Sequence, residues 1–193
     1  MRCRIPDLSR RCPRCLFPPD SCLCPEIPRL ETATRVLFVR HAAERTRTTN
    51  TGRWAALALL RSELLEHAVP GAPLDSSRIS AGRAAVLFPS PAGEFVPSPR
   101  PETLVVVDGT WAQARRMLQR IPELRSLPRL SLAARPGDRL RRPTVSGGMS
   151  TLEAVAAALD LLGEGAAAQA LAEVHRRAVS RARSLRCLDA SAA

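Results

Sequence analysis

Residues 103–107, Thr-Leu-Val-Val-Val, constrain the fold most strongly. The run is short, apolar and rich in β-branched residues. It lacks the polar alternation of a strand that faces water on one side. A strand of this kind is buried on both faces, as in parallel sheets covered by helices. It stops at Asp108 and Gly109, and a helical pattern follows from about 110 to 120. Residues 34–39, 84–88 and 129–133 are further short strand candidates, the second stopped by Pro89. Residues 52–68 carry helical apolar spacing with no breaker after Gly52, which predicts one helix. Ser150, Thr151, Leu152 and Glu153 form a capping-box sequence that opens a helix to 162, and a last helix covers about 164–187. Residues 40–51, 89–101 and 135–148 read as loops, the last one basic and rich in Gly and Pro. Strands alternating with helices predict an α/β domain with a mainly parallel sheet and flanking helices.

Residues 1–30 have a different character, and they divide the chain into a 1–30 segment and a 31–193 domain. Pro13, Pro18, Pro19, Pro25 and Pro28 exclude regular helix there. Cys12, Cys15, Cys22 and Cys24 fall within 13 residues as C-P-R-C-x6-C-L-C. No apolar stretch follows the basic N-terminus, so no secretory signal is expected, and a metal is favoured over disulfides. Two close pairs supply four thiolates to one tetrahedral zinc ion, a closed and therefore structural site. The alternative is a set of oxidisable thiols. Cys3 and Cys187 receive no role.

Charge narrows the choice of partner. The chain has 29 basic residues, all arginine, against 18 acidic ones, a net +11. Such a chain attracts polyanions, nucleic acid above all, although a basic surface also serves solubility alone. No apolar run approaches the ~20 residues of a membrane helix. A cytoplasmic protein with no membrane partner and no obligate protein partner is expected.

Residues 105–117, V-V-V-D-G-T-W-A-Q-A-R-R-M, carry the most chemistry. Asp108 ends a buried strand, where open α/β sheets bind ligands. Gly109 permits a tight turn. Thr110 and the following N–H groups open a helix, which favours negative charge. Trp111 offers an aromatic face for stacking on a base. Capping by Asp108 or Thr110, with Trp111 in the core, is the plainer alternative. No G-x-G-x-x-G follows a strand, and no P-loop sequence is present, so ordinary dinucleotide and P-loop chemistry lack support.

Asp-Gly-Thr-Trp followed by Gln-Ala-Arg-Arg-Met resembles the signature of the DTW-domain family, the tRNA-uridine aminocarboxypropyltransferases. Four further segments agree in order: the four-cysteine cluster, Glu44-Arg45 with Thr49-Asn50-Thr51-Gly52, Leu87-Phe88-Pro89, and Ser150-Thr151-Leu152-Glu153-Ala154. The Pro-rich loop at 89–101 departs from the pattern, and 139–143 aligns loosely. The resemblance implies a SPOUT-like fold, a class in which some members are knotted, that binds S-adenosylmethionine. It implies transfer of the 3-amino-3-carboxypropyl group to N3 of a uridine in tRNA.

On that reading Asp108 is the candidate base for the uridine N3–H. Leu87, Phe88, Gly109, Thr110, Ser150 and Thr151 are placed around the adenosine. Trp111 either stacks on the target base or packs behind the donor. Glu153 holds the donor's ammonium group or serves only as a capping carboxylate. Arg45, Arg47, Asn50 and Arg141 are candidates for RNA contact, with solvated surface as the alternative. His41, His67 and His175 look isolated and structural. The competing functions are an S-adenosylmethionine-dependent RNA methyltransferase and a noncatalytic zinc-containing RNA-binding module.

Overall fold

A computed structural model describes residues 7–133 and 148–185. Five strands form one parallel sheet in the order β2-β1-β4-β3-β5. They are β1 (Arg35–His41), β2 (Ser62–His67), β3 (Ala84–Leu87), β4 (Thr103–Asp108) and β5 (Arg129–Leu130). The helices are α1 (Thr51–Ala58), α2 (Trp111–Arg120), α3 (Pro122–Ser126), α4 (Thr151–Leu161) and α5 (Gly165–Ser184).

Strand alternation builds two cores. Val36, Phe38, Leu104 and Val106 face α1, α4 and α5. Leu37, Val39, Val105 and Val86 face α2 and α3 through Met117, Leu118, Ile121 and Leu124. The central strand β4 is covered on both sides, as its continuous apolar run requires.

The helix expected over 52–68 is two elements. The chain leaves the helix after Ala58, turns, and runs as β2 along the edge of the sheet. Ser62 Oγ donates to the carbonyls of Ala56 (3.0 Å) and Leu59 (2.8 Å) and so closes the turn. The pair Leu64 and Leu65 sends one side chain into each core. Glu63 pairs with Arg35 and Arg78, and Glu66 with Arg40 and Arg45. These partners come mainly from the neighbouring strand and its following turn, so local periodicity does not reveal them. The last strand is also shorter than expected: after Leu130, Ser131 pairs antiparallel with Phe95. Arg141, Cys3, Cys187 and most of the 135–148 loop lie outside the described residues.

The cysteine segment shares the main core. Cys15 and Leu23 are fully buried in the α1–α4–α5 cluster. Phe17 stacks on Trp54 with centroids 5.4 Å apart, and the Trp54 indole N–H donates to the Cys15 carbonyl at 3.0 Å. Arg181 of α5 donates to the Cys22 carbonyl at 3.0 Å and pairs with Glu26. Among the described residues no helix is long and apolar enough to cross a membrane.

Candidate functional site

The carboxyl ends of β1 and β4 lie side by side, with Arg40 opposite Asp108. The helix after β1 packs on one face of the sheet and the helix after β4 on the other. The connections therefore diverge at this point, which is the usual ligand position in open α/β sheets.

Asp108 stands at this divergence, buried at the end of β4. The carboxylate accepts from Asn50 Nδ2 at 2.7 Å and from Thr151 Oγ1 at 2.7 Å. Asn50 caps α1 by accepting from the Arg53 N–H at 2.8 Å. Thr51 Oγ1 accepts from the Leu152 N–H at 3.3 Å. One carboxylate thus ties the first turns of α1 and α4 to the end of β4. The fit against α1 is close: a Cβ on Gly52 would lie 2.8–2.9 Å from the Asp108 carboxylate. Glycine is needed there for space.

Burial pushes the Asp108 pKa above its ordinary value of 3.8, opposed by the Asn50 and Thr151 hydrogen bonds and reinforced by nearby Glu44. A raised native pKa means that the folded state holds the proton more tightly than the unfolded chain. The associated stability is complete below 3.8 and is lost as pH rises through the raised native value. The stability of the wild type relative to Asp108→Asn should accordingly be greatest in acid and decline as pH rises. Melting curves of both proteins across pH check this, and a constant difference would contradict it.

Beside this clamp is a crevice of about 440 Å³, a volume suited to a small-molecule site. Leu87, Phe88, Gly109, Trp111 and Thr151, all expected around the donor, line it together with Val106, Val107, Ala114 and Ala154. Phe88 and Trp111 meet edge to face with centroids 6.2 Å apart. Pro89, Ser90, Pro91 and Gly93 of the Pro-rich loop add to the wall.

Thr110, Ser150 and Glu153 stand just outside that lining, in two capping boxes. Thr110 and Gln113 satisfy each other's backbone N–H groups, as do Ser150 and Glu153. Glu153 takes the capping position, its carboxylate accepting from the Ser150 N–H at 2.9 Å. Asp108 itself is buried behind the crevice with both oxygens bonded, and reaches it through Thr151.

The RNA-contact candidates separate. Asn50 is buried in the Asp108 clamp. Arg45 is exposed and lies 3.7 Å from Glu66. Arg47 stands in the same turn, partly exposed.

The histidines, read from sequence as isolated and structural, have defined neighbours. His41 and His67 end neighbouring strands and meet edge to face at 6.2 Å, and burial beside His41 lowers the His67 pKa. His41 Nδ1 accepts from the Ala43 N–H at 3.1 Å and faces Gln113 Nε2 at 3.4 Å. Its place one residue past the β1 position opposite Asp108 is the signal, legible only once strand register is known. His175, buried on α5, contacts Ser150 Oγ at 3.3 Å.

The four cysteines form a second centre. Their sulfurs all lie within 4.8 Å of one another, with Cys12–Cys24 and Cys15–Cys22 each 3.7 Å apart. Tetrahedral zinc with Zn–S near 2.3 Å sets sulfurs about 3.8 Å apart, so the set fits such an ion. Burial opposes the Cys12 thiolate, but the N–H groups of Cys15 and Arg14 bring it down to about 6. Burial and the neighbouring sulfurs push Cys24 up. The cluster thus favours one thiolate and resists further negative charge, which a divalent cation would relieve.

The DTW domain profile matches residues 9–183, spanning the cysteine segment and the sheet. A tRNA-uridine aminocarboxypropyltransferase 2 of Drosophila melanogaster is 30% identical over 171 residues, covering 81% of this chain and 68% of the relative. Proteins of the same name from Macaca fascicularis and Mus musculus are each 26% identical over 179 residues, covering 78% of this chain and 56% of the relative. No solved structure matches the chain significantly. With its signature at the end of the central strand and a match over nearly its whole length, the chain belongs to the DTW-domain family.

Proposed function

We propose that this protein transfers the 3-amino-3-carboxypropyl group of S-adenosylmethionine to N3 of a uridine in tRNA, in the cytoplasm. The observation that carries the reading is the apolar crevice at the ends of β3 and β4, walled by the signature residues Gly109 and Trp111. Relatives named for this activity support it. The crevice would take the adenosine against Leu87, Phe88 and Trp111.

The sulfonium of the donor makes three attached carbons electrophilic, and the site selects one by presenting it to the nucleophile. In the proposed transfer the N3–C bond forms and the C–S bond breaks. Its electron pair stays on sulfur, methylthioadenosine leaves, and the N3 proton is released. Asp108 is buried with both carboxylate oxygens hydrogen-bonded, which favours a positioning role. We assign it the positioning of Thr151 and Gly109, in place of the proton removal expected from sequence. The four cysteines would hold a structural zinc ion that fixes the N-terminal segment to α1 and α5.

Mass spectrometry of tRNA nucleosides from cells with and without the gene tests the reaction. Aminocarboxypropyluridine should appear only where the protein is present. An unchanged nucleoside profile would refute it, and loss of a methylated nucleoside instead would favour a methyltransferase.

A further inference from the structure

The positive charge is unevenly spent. On the β1–β2 edge and on α5, arginines have acidic partners, two to each acid: Arg35 and Arg78 with Glu63, Arg40 and Arg45 with Glu66, Arg176 and Arg177 with Glu173. The stretch 111–130 differs, with five arginines and a single acid, Glu123. Glu123 is taken by the Ser76 hydroxyl at 2.7 Å. Arg115, Arg116, Arg120, Arg125 and Arg129 are all exposed, and among the described residues none has an ion-pair partner.

Their placement relates them to the crevice. Trp111 and Ala114 of α2 line it. Arg115 follows Trp111 by four residues and so continues the same helical stripe one turn on. Arg129 sits over Phe88, which also lines the crevice, its guanidinium carbon 5.8 Å from the centre of the ring. Met117, Leu118 and Ile121 hold the buried side of α2 against the sheet, so the outward arginines stand on a rigid support.

From this segregation we infer that the α2–α3 face, with Arg115, Arg116 and Arg120 at its centre, is the surface on which the RNA phosphate backbone docks. The inference rests on the tRNA reading above. It moves the main electrostatic contact away from the Arg45–Arg47 turn. Phosphates are the polyanion that an uncompensated arginine face beside the crevice would take.

The test is tRNA binding by the full chain over a salt series. The triple variant R115E/R116E/R120E should bind about tenfold or more weakly near physiological salt, and its salt slope should fall by about 2–3. The charge-matched control R29E/R100E/R176E should bind close to wild type. A melting curve checks the fold, and if the triple variant is unstable, single reversals should each lower the slope by about 1. Equal binding by the triple variant and wild type would overturn the inference, as would equal weakening by the control. Wild type that binds tRNA at this face without modifying it would refute the enzyme reading alone. Wild type that does not bind tRNA would overturn both.

Discussion

Asp108→Ala is expected to lower uridine modification by about 10²-fold or more, while Asp108→Asn retains activity within about tenfold of wild type. The alanine variant leaves Asn50 Nδ2 and the Thr151 hydroxyl without their acceptor. A buried donor stranded in this way costs about 1–3 kcal/mol, and the first turns of α1 and α4 lose their common anchor. Asparagine still accepts from Asn50 through its carbonyl, and the Thr151 hydroxyl can turn to accept from the new amide. A general base admits no such rescue, since its loss costs about 10²–10⁴ in rate. Gly52→Ala should resemble Asp108→Ala, because its methyl carbon would lie within 2.9 Å of the carboxylate. Steady-state kinetics on tRNA, with donor binding measured separately, distinguish the roles. A folded Asp108→Asn that binds donor normally but is as slow as Asp108→Ala would return the residue to proton removal.

Metal removal should have the largest effect on stability. Cys15 and Leu23 belong to the same core as Trp54 and the inner faces of α4 and α5. Four sulfurs within 4.8 Å cannot all carry charge without a cation among them. Structural zinc binding is worth about 10–16 kcal/mol in small zinc domains, so even a fraction of that exceeds an ordinary margin of stability. Protein prepared without chelator should contain one zinc per chain, and a strong chelator should lower its melting temperature by tens of degrees or precipitate it. Cys15→Ser should do the same. Metal-free protein with an unchanged melting curve would show the cluster to be dispensable.

The elements read correctly from sequence are those whose signals are local. The β4 run needs no context to be recognised as a buried central strand. The capping boxes at Thr110 and Ser150 declare their helix starts within four residues. The strand β2 failed because its Leu-Leu pair and its glutamates fit a helix face as well as an edge strand. Arg35 and Arg40, which help decide the matter, are more than 20 residues away.

The site shows the same division. Asp108, Gly109, Trp111 and Thr151 could be placed at a strand end and a helix start from sequence. That Asn50 belongs to the Asp108 clamp depends on a contact across 58 residues. Likewise the Arg-rich composition is visible in the sequence, but the pairing that leaves only some arginines free is a property of the folded surface.

The identity of the transferred carbon separates aminocarboxypropyl transfer from methyl transfer. Purified protein, unmodified tRNA and S-adenosylmethionine labelled separately in its carboxyl carbon and its methyl carbon decide it directly. Aminocarboxypropyl transfer puts carboxyl label in the tRNA, leaves methyl label only in released methylthioadenosine, and maps the product to a uridine. Methyl label in the tRNA, with carboxyl label left in S-adenosylhomocysteine, would contradict it.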